Sequence, residues 1–349
     1  MMRSRSGRVL IAVVLTFAVS EIGIRVFAER DSQWSIRLGA IKRFDPITKF
    51  RLKSNCKIAE GVVTNENGYL APAGISSEKP SGEKRIIYLG DSVSVLPAPG
   101  MYPSSVEEIV ERAGIPVQTL NAAVPGYSTR NARALFESDL SRYDGDYFFV
   151  NLGWNDLGQY GPEGLPYKRD EAGYALNPIQ RVLTQIYTLR LLYAAEQMWR
   201  HTTTSVDEPM SPADAQLYAT YYPTHFEENL RAILTLAKRR YPNVAIMRLA
   251  TITNDHPTEA ELRLAHYPTG MDKNMRKLHA LVSRYNEVID GVAAEQQVPT
   301  IDLFALLDSE SARRNFTDSC HLNRDGADRV ARVVADFILE REAPRDATP

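Results

Sequence analysis

Four short segments carry residue types able to perform acyl transfer. The first is Gly90-Asp91-Ser92, where a glycine allows a sharp turn and leaves a serine facing outward. A serine hydroxyl is a poor nucleophile until a neighbouring base takes its proton. The second is Asn121-Ala122-Ala123-Val124-Pro125-Gly126-Tyr127-Ser128. A glycine in such a loop exposes its amide with no side chain in the way, which suits an oxyanion donor. The third, Gly153-Trp154-Asn155-Asp156, offers the Asn155 side-chain amide for the same task. The fourth is Asp318-Ser319-Cys320-His321. Three residues apart, the Asp318 carboxylate can hold the His321 imidazole in one tautomer, leaving the other ring nitrogen for the serine proton. Each segment alone has a plainer reading. Gly and Asn are favoured in turns anyway, and Asp-x-x-His can be a helix-entry hydrogen bond. All four in this order, three of them following apolar runs, are harder to explain that way.

The elements that must position them alternate. Short apolar runs at Arg85–Leu89, Val117–Leu120, Tyr147–Val150, Val244–Met247 and Pro299–Leu303 read as buried strands. Between them lie helical stripes: Phe226, Leu230, Ile233, Leu234 and Ala237; Met275 through Val292; and Val330 through Ile338. Thr224-x-x-Glu227 has the form of a capping box opening the first of these. Strands alternating with helices predict an α/β fold, a three-layer α/β/α sandwich around a five-stranded parallel sheet. In such sheets sites form at the carboxyl ends of the strands, where three of the four segments fall.

The expected organisation is a signal-anchor over 1–30, a connector over 31–81, and a main domain over 82–345 carrying an insertion at 157–222. In the insertion, Asn177 and Pro178 open an apolar helix that includes Trp199, which packs on the sheet, acts as a lid or rests on a membrane. Arg3, Arg5 and Arg8 precede an almost wholly apolar run from Val9 to Ser20. That is the pattern of a secretory signal or short anchor, with the rest of the chain outside the cytoplasm. Ala18-Val19-Ser20 would suit a signal peptidase, but apolar positions continue to Phe27 and favour an uncleaved single-pass anchor in the cytoplasmic membrane.

With 349 residues, Lys+Arg 41 against Asp+Glu 43 and only two cysteines, the chain lacks the basic field of a nucleic-acid binder and the framework of a disulfide scaffold. No ligand-spacing motif joins the histidines, so neither metal nor cofactor is expected. Cys56 and Cys320 could pair if they are close.

Taken together, Gly90-Asp91-Ser92, Gly126, Gly153-x-Asn155-Asp156 and Asp318-x-x-His321 resemble the sequence blocks of the SGNH, or GDSL-type, hydrolases over about residues 82–345. Val93 stands where that family often has leucine. The resemblance implies a flavodoxin-like fold, with Ser92 as nucleophile, His321 as base and Asp318 as its orienter. It also implies an oxyanion hole made by the Ser92 amide, the Gly126 amide and the Asn155 side chain. The anchor and the segment Thr64–Tyr69 look like membrane-anchored members of bacterial envelopes. Tyr127, Trp154 and Tyr160 are further candidates to touch substrate, since aromatic faces suit sugar rings, and Asp91, next to Ser92, is another candidate.

The expected function is therefore a serine esterase acting on O-acyl or O-acetyl groups of an envelope carbohydrate, facing the periplasm. The alternatives are an O-acetyltransferase using the same acyl-enzyme, a lipid esterase, a form secreted after cleavage, and a glycan-binding scaffold without catalysis.

Overall fold

The computed structural model describes residues 5–30, 39–157, 186–201, 205–268, 271–308 and 313–343. The apolar helix α1 (Arg5–Arg30) leads into two hairpins, β1 (Lys42–Asp45) with β2 (Lys49–Leu52) and β3 (Lys57–Ala59) with β4 (Val62–Val63). Then follow β5 (Lys84–Gly90), α2 (Tyr102–Arg112), β6 (Val117–Asn121), α3 (Thr129–Ser138), β7 (Tyr147–Asn151) and the single turn α4 (Trp154–Leu157). Next come α5 (Tyr187–His201), α6 (Pro212–Thr220), α7 (Thr224–Arg240) and β8 (Asn243–Met247). The chain ends through α8 (Glu259–Leu264), α9 (Met275–Gln296), β9 (Thr300–Ile301), α10 (Leu303–Leu306) and α11 (Arg324–Glu342). The start of the expected insertion helix, Asn177 and Pro178, lies with Tyr160 outside the described residues, while its later part falls on α5.

The main sheet runs β6-β5-β7-β8-β9 with every pair parallel. Side chains alternate across it, as strand geometry requires. Ile87, Leu89, Phe148 and Val150 face a core shared with α3, α7 and α9. Ile86, Tyr88, Tyr147 and Phe149 face the other, shared with α2 and α11. The chain leaves β5 for β6 on one side and returns to β7 on the other, so a crevice opens at the carboxyl ends of β5 and β7.

Two local expectations are corrected. The fifth strand is only Thr300–Ile301, because Asp302 turns out of the sheet and caps α10 through the Ala305 amide at 3.0 Å. The Thr224–Glu227 box does not form: α7 is capped by Pro223, Thr224 already lies inside the helix, and Glu227 pairs with Arg231 at 2.7 Å. The same pattern does close at Thr258 and Glu261, where the hydroxyl receives the Glu261 amide and the carboxylate the Thr258 amide.

The hairpins are bound into the domain rather than hung from it. Ile41, Leu52, Ile58 and Tyr69 are buried in the first core. Leu70 exchanges both backbone hydrogen bonds with Asn121 at 3.0 Å, covering the edge of β6. The Asn65 carboxamide oxygen takes the amides of Asn67 and Tyr69, forming the turn at Gly68. There φ is +80° and a Cβ would stand 2.6 Å from the Leu52 carbonyl oxygen. That turn sends the Tyr69 hydroxyl to Asp139 at 2.8 Å, beside the Arg51 guanidinium at 2.6 Å. Both Arg51 and Asp139 are mostly buried, 13% and 17% exposed. Asp139→Ala leaves those two donors without an acceptor and is expected to destabilise the protein by about 2–3 kcal/mol, read as a lower urea midpoint at unchanged slope.

Helix α1 is long and apolar enough to cross a membrane by length and composition. Its Ile11, Val13, Val14, Leu15, Val19 and Ile22 are exposed.

Candidate active site

Strand β5 delivers Asp91 and Ser92 to the crevice. The Asp91 carboxylate accepts the Val93 amide at 2.9 Å and so holds Ser92–Ser94 as one 3-10 turn. Gly90 is required for this approach: a Cβ there would meet the Ser94 hydroxyl at 2.5 Å and the Asn151 carbonyl oxygen at 3.2 Å. The turn leaves Ser92 half-buried, reachable from solvent, while Asp91 is buried behind it.

The segment before α11 brings the other two groups. Phe316 and Leu322 form an antiparallel bridge, and Asn323 caps α11 through the Gly326 amide at 3.0 Å. Ser319 ties this loop to the segment after β8, exchanging hydrogen bonds with the His266 backbone at 2.7 Å. Within the loop, Asp318 Oδ1 accepts the amides of Cys320 and His321 at 2.9 and 2.8 Å. Its Oδ2 stands 2.7 Å from His321 Nδ1, and His321 Nε2 stands 2.8 Å from Ser92 Oγ. Three groups separated in sequence thus form one continuous hydrogen-bonded line.

The electrostatics follow from that line. Burial alone would raise the Asp318 pKa, but the hydrogen bond and charge of His321 and the two amides hold it far below the usual carboxylate range. Burial alone would disfavour the imidazolium, yet the hydrogen bond and charge of Asp318, with Asp91 behind them, raise His321 above its usual value. Burial pushes Asp91 up to about 6 and Asp156 up to about 7, partly countered by their hydrogen bonds. Asp156 receives the Thr129 amide at 2.9 Å and its hydroxyl at 2.6 Å, which pins the start of α3 against α4. The sequence alone assigns Asp156 no partner; a lone Thr beyond another strand offers no local signal.

Gly126 and Asn155 also reach the crevice. Gly126 adopts φ +89°, which favours glycine. Asn155 Nδ2 donates to the Tyr127 carbonyl oxygen at 3.0 Å and, at 3.3 Å, to Asp91 Oδ2. It therefore bridges the two loops that carry Ser92 and Gly126, with acceptors for both amide protons in this structure. With the oxyanion role expected from its sequence position, Asn155→Ala would cut kcat about 100- to 1,000-fold with little change in KM, measured on a small chromogenic ester.

Tyr127 is corrected as a substrate contact. Its side chain is buried, with the hydroxyl on the Phe50 carbonyl oxygen at 2.7 Å and the ring against Phe50, so no face is open to a sugar. Trp154 is partly buried and packs against both cores. Cys320 is buried with Sγ 3.8 Å from His321 Nδ1, and no disulfide joins it to Cys56.

Residues 88–329 match the model of the GDSL-like lipase/acylhydrolase family. Among solved structures, an acetylxylan esterase from Geobacillus stearothermophilus is similar at 15% identity, covering 74% of this chain and 95% of that one, with TM-score 0.46. The acetylxylan esterase AlAXEase is similar at 15% identity over 73% and 99%, TM-score 0.44. A putative acylhydrolase from Bacteroides fragilis is similar at 12% over 76% and 90%, TM-score 0.44. No curated protein matches.

Proposed function

The chain belongs to the GDSL-like lipase/acylhydrolase family and is an SGNH ester hydrolase; from that premise we propose that Ser92, His321 and Asp318 are its catalytic triad, acting on O-acetyl esters of carbohydrate. The observation that carries this reading is the line from Ser92 Oγ through His321 to Asp318, with heavy-atom distances of 2.8 and 2.7 Å.

Ser92 Oγ attacks the ester carbonyl carbon as His321 Nε2 takes its proton. The tetrahedral oxyanion is met by the Ser92 and Gly126 amides and by Asn155, which exchanges its longer contact to Asp91 for the substrate oxygen. The imidazolium returns the proton to the alkoxide, and the alcohol leaves with an acyl-Ser92 behind. Water, deprotonated by His321, then attacks that ester; acetate departs and Ser92 recovers its proton. Asp318 keeps the imidazole oriented throughout and stabilises its cationic form.

The partly exposed Trp154 beside Asn155 supports a sugar substrate. We place the N-terminal residues 1–30 as a single-pass anchor in the cytoplasmic membrane, with the connector 31–81 and the hydrolase domain 82–345, insertion 157–222 included, on the outer side. The exposed apolar surface of α1 and Arg3, Arg5 and Arg8 ahead of its apolar stretch support that placement. Release of free acetate from an acetylated polysaccharide by the purified chain tests the activity. Transfer of the acetyl group to an added acceptor sugar, with little free acetate, would instead make it an acetyltransferase. Protease treatment of spheroplasts, whose outer membrane is opened, tests the topology: cleavage of the hydrolase domain supports it, and protection until the cytoplasmic membrane is lysed overturns it.

A further inference from the structure

The first hairpin places a lysine where the catalytic loop can use it. In the register of β1 and β2, Lys42 lies opposite Leu52 and Phe44 opposite Phe50, so these residues share one face of the hairpin. That face is turned inward: Leu52 is buried, and the Phe50 ring packs on Tyr127 with centroids 5.3 Å apart. The hairpin is fastened there. Asp45 Oδ1 takes the amides of Ile47 and Thr48 to form its turn, and Asn131 at the start of α3 donates to the Thr48 carbonyl oxygen at 2.8 Å.

Lys42 is thus a cation on an inward face, beside the glycine proposed as an oxyanion donor. Its Nζ lies 3.2 Å from the point a Gly126 Cβ would occupy and 4.4 Å from the Phe50 ring centroid. The ring face offers a cation–π contact, but among the described residues no carboxylate pairs with the ammonium. The charge that acts on it is another cation, Arg190 on α5, which donates to the Gly39 carbonyl oxygen at 3.2 Å. Burial and the Arg190 charge push the Lys42 ammonium down to about 8, so it stays mostly protonated at neutral pH. A partly desolvated charge with no partner is costly, and a substrate anion arriving there would remove that cost.

We propose that Lys42 is the anion-binding residue of the substrate site and that it takes a carboxylate carried by the acylated sugar, as in an acetylated uronic acid. The carboxylate would sit on the ammonium while the ester carbonyl lies against Gly126, so the two contacts together fix which hydroxyl's ester faces Ser92. This rests on the carbohydrate esterase reading above and narrows its substrate.

The test compares galacturonate with galactose, which differ at the carboxylate, as competitive inhibitors of p-nitrophenyl acetate hydrolysis by the full chain. In the wild type galacturonate is expected to bind about tenfold or more tighter than galactose. In Lys42→Met that ratio falls to about one, and Lys42→Arg restores much of it. The ratio is the readout because a merely structural defect weakens both sugars alike. Equal inhibition by both sugars in the wild type overturns the proposal, as does a ratio unaltered in Lys42→Met. Acetate release from an acetylated polyuronate and from an acetylated neutral glycan separates the two readings. Cleavage of p-nitrophenyl acetate with neither glycan touched sinks the carbohydrate reading, while the inhibition ratio still decides Lys42.

Discussion

Ser92→Ala is expected to lower kcat for ester hydrolysis by about 10⁴- to 10⁶-fold and to leave the fold intact. The loss is large because in the proposed mechanism Oγ forms the acyl bond, and it is aligned on His321 Nε2 at 2.8 Å before substrate arrives. The fold should survive because the turn is built by other atoms. The Asp91 carboxylate holds the Val93 amide, and the Ser92 carbonyl oxygen receives the amides of Val95 and Leu96 at 3.1 and 2.9 Å. None of these uses Oγ. A half-buried hydroxyl lost from such a turn shifts stability by about 0.5 kcal/mol, so the unfolding midpoint should stay close to wild type. Residual catalysis would come from the amides of Ser92 and Gly126, which alanine preserves. Steady-state rates on p-nitrophenyl acetate and labelling by a fluorophosphonate probe measure the effect. Activity within tenfold of wild type, or labelling of another residue at full rate, would remove Ser92 from the mechanism.

What could be read in advance depended on how local each cause was. The five strands were legible because both faces of a parallel sheet are buried, which leaves unbroken apolar runs such as Ile86–Leu89 and Tyr147–Val150. The candidate residues were legible as types, since Gly90, Gly126 and Gly153 punctuate those runs and Asp318 and His321 are three apart. The joining of Ser92 to His321 across 229 residues has no local trace; it follows from strand order and from the Ser319 contacts that place the last loop over the sheet. The hairpin over Gly126 was unreadable for a different reason. Four-residue strands mixing Lys42, Arg43, Phe44 and Asp45 are too short for a period to emerge, so the inward direction of Lys42 appears only once Phe50 meets Tyr127. Tyr127 itself misled because an aromatic beside a loop glycine is equally at home under the loop, where the hairpin buries it. Thr224 misled because a proline one position earlier had already started the helix.

The second large effect belongs to Asp318→Asn, expected to reduce kcat by about 10⁴-fold while moving the acidic limb of the pH–rate profile to lower pH. The carboxamide oxygen of an asparagine at this position could still accept the Cys320 and His321 amides, so the loop geometry can persist. What disappears is the negative charge facing His321 Nδ1 at 2.7 Å. In the proposed mechanism His321 serves as base only when neutral, and Asp318, helped by Asp91, outweighs burial to raise its pKa above the usual value. Wild-type activity should therefore rise with pH through a value above about 6.5. With that charge gone, burial is the larger influence, the imidazole deprotonates at lower pH, and the small remaining activity reaches its plateau earlier. Stability should follow the same pair. Asp318, depressed in the folded state, contributes stability that is present above its unfolded pKa of about 3.9 and is lost as pH falls. His321, raised, contributes stability present below about 6.5 and lost as pH rises through its folded value. The wild-type advantage over Asp318→Asn should thus be greatest between about pH 4 and 6.5, measured by urea midpoints across that range. A variant whose rate falls with no movement of the acidic limb, or whose stability deficit is flat with pH, would mean that Asp318 shapes the loop without acting through the charge of His321.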